Sequence, residues 1–378
     1  MKHLLTLIPL MAALIVACGE SEVEEQQPTE FARRDLTVLV GGARGTSSLN
    51  EYFPRYLEIR AGDTVTWRMN GNLDDPHTVT FARDLDEVVD IVPRPNGGPG
   101  EFIFAPTLVD PTRRPGGAVE EYRAGGYFNS GIMFGYQIGA DVPMIDTFSL
   151  TFPDPGTYQY ICGIHEFHRG TVVVKEATNA DLPNQEDIDR AARLQMEFGT
   201  GIVNSLQSLV AQETTVLDVE VGPDGTSRYI VAAGMGTPEA EVLEFFPRNL
   251  QIKKGDTVTW MSTRFHAVVF GGDDGVPVFY QTEQRARGTP YIVANPCVLF
   301  PSDQVPGDTF PDNPCTPPPE GPPSHEYDGS GFRSSGLIGY GQRPGGLGYS
   351  LTFPEAGTFS YSCPIHRGMV GRVTVSEG

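Results

Sequence analysis

Phe53-Pro54-Arg55-Tyr56-Leu57-Glu58-Ile59-Arg60-Ala61-Gly62-Asp63-Thr64-Val65-Thr66-Trp67 is written again 193 residues later, as Phe246-Pro247-Arg248-Asn249-Leu250-Gln251-Ile252-Lys253-Lys254-Gly255-Asp256-Thr257-Val258-Thr259-Trp260. In each copy, apolar residues alternate with polar ones, a Gly-Asp pair supplies a tight turn, and alternation resumes as far as a tryptophan. Period two is the signature of half-buried strands. A second echo follows at an offset of 201, where Phe148-Ser149-Leu150-Thr151-Phe152-Pro153 becomes Tyr349-Ser350-Leu351-Thr352-Phe353-Pro354. After these, Tyr158, Tyr160 and Cys162 share one strand face, as do Phe359, Tyr361 and Cys363. The chain is therefore expected to be all-β: two tandem Greek-key sandwiches, each burying the faces its alternation defines.

Length agrees, since 378 residues suffice for two ordinary domains. Gly 44 and Pro 32 together make about a fifth of the chain, which indicates long turns and insertions rather than long helices. A formal charge of -21 disfavours nucleic acid and anionic lipid surfaces, and it points to protein partners that offer basic patches.

The expected organisation is a leader at 1–17, a tether at 18–30, a first domain at 31–178, a helical connector at 179–215 and a second domain at 216–378. Met1-Lys2-His3 precedes an apolar run from Leu4 to Ala17, too short to span a bilayer comfortably. The order Ile15-Val16-Ala17-Cys18 resembles a bacterial lipobox, which implies cleavage before Cys18 and lipidation of its thiol. Gly19, where an aspartate would resemble an inner-membrane retention signal, favours the outer membrane facing the periplasm in a two-membrane organism, and otherwise the cell surface. Glu20 to Glu30 is acidic and aperiodic, as a flexible tether would be. In the connector, Asn184 is placed to cap a helix whose apolar face is read as Ile188, Ala191, Leu194, Phe198, Ile202, Leu206 and Leu209, with Gly199 and Gly201 weakening its middle. Its expected role is a clamp across the domains. A hairpin around Pro223-Asp224-Gly225 then opens the second domain.

The chemistry concentrates after the second echo. Cys363-Pro364-Ile365-His366-Arg367-Gly368-Met369 is C-x2-H-x2-M, and Cys162-Gly163-Ile164-His165-Glu166-Phe167-His168 is C-x2-H-x2-H. Upstream, His77 and His266 each follow a tryptophan strand. Thiolate, thioether and imidazole together select copper, and a His2Cys plane with a weak axial donor suits electron transfer. The repeated strands, the upstream histidine and the terminal cysteine loop resemble the cupredoxin family, and the second loop is most similar to that of amicyanin. The resemblance implies one copper ion per domain: His266, Cys363 and His366 in a plane with Met369 axial, a type 1 site, and His77, Cys162 and His165 with His168 replacing the axial methionine. It also implies electron exit through the solvent-near histidines His165 and His366. Where the family has an asparagine after the upstream histidine, this chain has Thr78 and Ala267; threonine can supply part of that hydrogen bonding and alanine cannot. An isolated histidine or buried cysteine is ordinarily inert, but five of the seven histidines fall at the family's positions, leaving His3 in the leader and His325 unassigned.

Cys297 and Cys315 remain, both in a Pro-rich insertion; in an exported chain a disulfide between them is expected, with two free thiols as the alternative. Long insertions, about 82–126 and 271–333, separate each upstream histidine from its cysteine and are expected to cover edges, join the domains or shape a docking surface. The resulting expectation is an extracytoplasmic, membrane-anchored carrier of single electrons between redox proteins, not an enzyme. No histidines flank the cysteines, as an oxidase or copper nitrite reductase would require. Copper storage or delivery is the alternative, and a structural lipoprotein with a degenerate site is a third reading.

Overall fold

The computed structural model describes residues 31–377 apart from 71–74, 99–100, 113–117, 135–143, 166, 213–218, 224, 272–277, 285–289, 303–324, 340–345 and 367. The lipobox with Cys18, the tether and Cys315 lie outside the described residues.

The duplicated stretches form the same strands twice. Tyr56–Arg60 and Thr64–Met69 correspond to Asn249–Lys253 and Thr257–Met261, with alternating burial in both. The Gly-Asp turn recurs because its aspartate ties strands together. Asp63 accepts the amides of Arg60 and Arg34, and Asp256 those of Lys253 and Ser227, at 2.7 to 2.9 Å. The glycines before them have φ of 94° and 89°, a conformation in which a side chain would be strained.

Two hydrophobic cores form, one built around Trp67 and one around Trp260, both with no exposed surface. Trp67 meets Tyr160 edge to face at 5.2 Å, and Trp260 meets Tyr361 in the same way at 5.1 Å. In each half one sheet carries the ligand-loop strands, ordered Tyr56–Arg60, Arg169–Lys175, Gly156–Ile161, Thr80–Phe81, Phe128–Asn129 in the first, and Asn249–Lys253, Val370–Ser376, Gly357–Ser362, His266–Phe270, Arg333–Ile338 in the second. The architecture is all-β, as expected.

The opposing sheets are not separate. Strand Ala240–Phe246 pairs antiparallel with strand Ser47–Phe53 in the register Ala240↔Leu49, Glu241↔Ser48, Val242↔Ser47, which fuses them into one ten-stranded sheet across the two halves. The insertions join as well. Tyr291–Ala294 pairs with Phe102–Phe104 in a four-stranded sheet that draws two strands from each insertion, and Arg94 bridges to Glu283 across it.

The helix Gln185–Gln212 lies over the junction, packing Ala192 and Val203 with Leu49, Phe53, Ala240, Val242 and Phe246. The clamp expectation holds, and Ile188, Ile202 and Leu206 pack inward as read, but the rest of the face differs; the Leu209 side chain lies outside the described residues. Ala191, Leu194 and Phe198 are exposed, and the buried side runs through Ile188, Ala192, Gly199 and Val203. Gly199 fits this face, because a Cβ there would stand 3.0 Å from the Leu49 side chain, and its absence lets the helix seat closely on the sheet at the seam. Asn184 caps as expected, its side-chain oxygen accepting from the Asp187 amide at 3.1 Å. Among the described residues no helix is long and apolar enough to cross a membrane.

Candidate metal centres

Each ligand loop closes on itself after an alternating strand. The Cys162 amide donates to the His168 carbonyl at 2.9 Å, and the Cys363 amide donates to the Met369 carbonyl at the same distance. The residue before the last donor has positive φ in both loops, 66° at Phe167 and 84° at Gly368. The upstream histidine comes from the neighbouring segment of the same sheet. His266 pairs in register with Ile338, and His77 bridges Met133.

The structure brings His77, Cys162, His165 and His168 together, and likewise His266, Cys363 and His366, with the donor atoms of each group within 4.8 Å of one another. In the second group, Cys363 Sγ lies 3.8 Å from His266 Nδ1 and 3.6 Å from His366 Nδ1, and the two Nδ1 atoms are 3.1 Å apart. In the first, Cys162 Sγ lies 3.6 Å from His165 Nδ1. Met369 is buried in the second core, where His168 stands in the first. His325, the unassigned histidine, is exposed and outside both groups.

Both cysteines are buried free thiols, and each accepts one backbone N–H: from Thr78 at 3.3 Å and from Ala267 at 3.4 Å. Burial pushes both thiols up, but the imidazoles of His165 and His77, and of His366 and His266, outweigh it and hold both well below the usual range. His77 and His168 are driven down, chiefly by burial. Their four ring nitrogens are buried with no hydrogen-bond partner, which is rare for buried polar atoms and fits a donor set shaped for a cation. The soft, mixed N/S donor set suits copper.

Two carboxylates that the sequence reading missed orient ligand rings. Asp75 Oδ1 lies 3.1 Å from His165 Nε2, and Glu241 Oε1 is hydrogen-bonded to His266 Nε2 at 2.8 Å. Burial lowers both rings, but the facing carboxylate charge more than offsets it, raising His165 well above its usual value and His266 to about 9. The carboxylates, pushed up by burial, are pulled below their usual range by those same imidazoles. Ser48 in turn hydrogen-bonds Asp75 and Asn50. No spacing rule in the sequence points to Asp75 or Glu241. Gly41 and Gly234 were also missed, although they too recur at the 193-residue offset. Each has positive φ at an irregularity in its strand, and a Cβ at either would stand 2.2 Å from Nε2 of the upstream histidine.

The expected solvent exposure fails for His366, while His165 is half-buried and borders the outer groove as well. Both line one cavity of about 80 Å³ between the halves, with Asp75 and Glu241 in its wall. His366 is buried at 7%. From outside, the first centre is approached by a groove that reaches Cys162, His165 and His168, where Phe167 is exposed.

No family model matches the chain. No curated protein matches it either. Among solved structures it is similar to amicyanins: the crystal structure of amicyanin from Paracoccus versutus at 19% identity, over 37% of this chain and 81% of that one, with a TM-score of 0.21. An oxidised amicyanin variant matches at 23% over 37% and 82%, and a reduced variant at 22% over 40% and 95%, each with a TM-score of 0.20. Likeness at this level adds nothing to what the chain's own strands and donor groups show.

Proposed function

We propose that the chain is an exported, membrane-tethered copper protein that passes single electrons between redox proteins, with one copper ion in each half. The observation that supports this most is the pair of buried thiolate and imidazole groups, each thiolate held by one backbone N–H. In the second half, His266, Cys363 and His366 would hold copper as a type 1 site with Met369 axial. In the first, His77, Cys162 and His165 would do so with His168 axial. Copper bound there supplies the one-electron couple between Cu(I) and Cu(II).

The protein's part is to keep that change small. The surrounding histidines favour the thiolate form of Cys162 and Cys363, and Asp75 and Glu241 hold one imidazole of each site in orientation. The strands fix the remaining donors, so little rearrangement need accompany electron gain or loss. Burial of both groups favours retention of the metal over its storage or delivery.

Copper titration of the purified chain, followed by optical and paramagnetic spectroscopy, tests the reading. Two equivalents should bind, with strong thiolate-to-copper absorption from the second site. Binding without such absorption would argue for storage or delivery instead. The tether belongs to the same proposal: intact-mass analysis of protein purified from bacterial membranes should find a mature chain beginning at lipid-modified Cys18. Nonreducing peptide mapping should recover Cys297 linked to Cys315, and partners should carry basic docking patches.

A further inference from the structure

In a carrier whose two centres work independently, each ligand-loop histidine should face solvent, where a partner can reach it. Here His165 and His366 turn toward each other's half and line the same cavity. The residues just before them, Ile164 and Ile365, pack against one apolar cluster that also contains Phe134, Phe279 and Ile292, so the loop tips of both halves are capped by a shared wall. Asp75, 3.1 Å from His165 Nε2, and Glu241, 2.8 Å from His266 Nε2, stand in the wall of that same cavity. The strand pairing of Ala240–Phe246 with Ser47–Phe53 and the joined insertions hold this arrangement on both sides.

We propose that the two centres form an internal relay, in which one electron crosses this cavity between the His165 edge of the first site and the His366 edge of the second. The idea rests on the copper reading above. The direction follows from the axial donors: imidazole at His168 stabilises Cu(II) more than the thioether of Met369, so the electron runs from first site to second. One electron leaves the first site, oxidising its Cu(I) to Cu(II), and enters the second, reducing its Cu(II) to Cu(I). No bond breaks and no external reagent is consumed. The chain would then take up two electrons in succession through one outward approach, the groove beside Phe167.

The full chain, loaded with two coppers and fully oxidised, is given less than one electron per molecule by a fast radical pulse and followed optically. The relay predicts a second phase, in which the electron redistributes between the sites at a rate independent of protein concentration. A redistribution rate that rises in proportion to protein concentration overturns it. A readout free of turnover is pulsed paramagnetic resonance of the oxidised protein, which should show a dipolar coupling for one fixed separation between the two Cu(II) spins; absence of resolved coupling also overturns the relay. Phe134→Ala, which opens the cavity wall without touching a ligand, should slow the internal phase severalfold. An unchanged rate in a variant that retains both copper spectra counts against the cavity as the path. A chain that binds no copper defeats the reading and the relay together, whereas two intact copper spectra with only concentration-dependent exchange defeat the relay alone.

Discussion

Gly163 and Pro364 occupy the same place in the two ligand loops, and each is matched to the residue behind its upstream histidine. Gly163 donates its N–H to Thr78 Oγ1 at 2.8 Å, tying the first loop to the histidine strand. Pro364 has no N–H to donate, so Ala267 leaves nothing there unsatisfied. Each pairing is thus satisfied within its own half. His168 and Met369, proposed as the fourth donors, differ more sharply. His168→Met should raise the first site's potential and bring its spectrum toward the second's, and Met369→His should do the converse; redox titrations monitored optically decide it, and unchanged potentials would sink the axial-donor account. The glycine beneath the upstream histidine gives a stability prediction. Gly234→Ala puts a Cβ 2.2 Å from His266 Nε2 at a φ of 73°, where backbone strain alone is about 1–2 kcal/mol. Urea denaturation of the full chain should show at least that loss, together with displaced copper absorption from the second site.

The connector helix shows what periodicity can and cannot do for a single element. Its existence and cap were readable, because Asn184 followed by acidic residues and repeating apolar positions is a local pattern. Its buried face was readable only in part, since Ile188, Ile202 and Leu206 pack inward, whereas Leu194 and Phe198 fit the period yet stand outward and Gly199 sits inward. A residue with no side chain carries no hydrophobic signal, although here it sets the contact. Phe198→Ser should therefore change stability by no more than about 0.5 kcal/mol. Ile188→Ala, which empties a buried position, should cost about 2–5 kcal/mol. Thermal or urea denaturation of both variants separates the two faces, and equal losses would contradict the observed orientation.

Across the whole molecule, the two cores are joined by a continuous sheet, a helix over its seam and a second sheet between the insertions. Coupling of this extent should make the halves unfold together, in one calorimetric transition. Val242 is fully buried at the seam among residues from both halves and the helix. Val242→Asp would bury an unpaired carboxylate there, so it should split the transition in two while each core retains its own tryptophan cluster. A single unchanged transition in the variant would show that the seam contributes little.

The strands, turns, repeat and donor set are properties of local order along the chain. Alternation determines a face, Gly-Asp determines a turn, and C-x2-H places two donors on one loop whatever surrounds it; the resemblance those loops carry then named all eight proposed ligands. Seven of them meet in the two His/Cys groups, and Met369 is buried in the second core. What only the tertiary structure decided is which edges meet. Backbone hydrogen bonds between Ser47–Phe53 and Ala240–Phe246 use groups that every residue has, so nothing in the side-chain pattern marks that pairing in advance. Once made, it brings Glu241 beside Ser48, and His165 and His366 line one cavity between the halves. Asp75 and Glu241 acquire their roles only in the folded halves, because a carboxylate becomes a ligand's partner through proximity in space and carries no sign of it in the sequence.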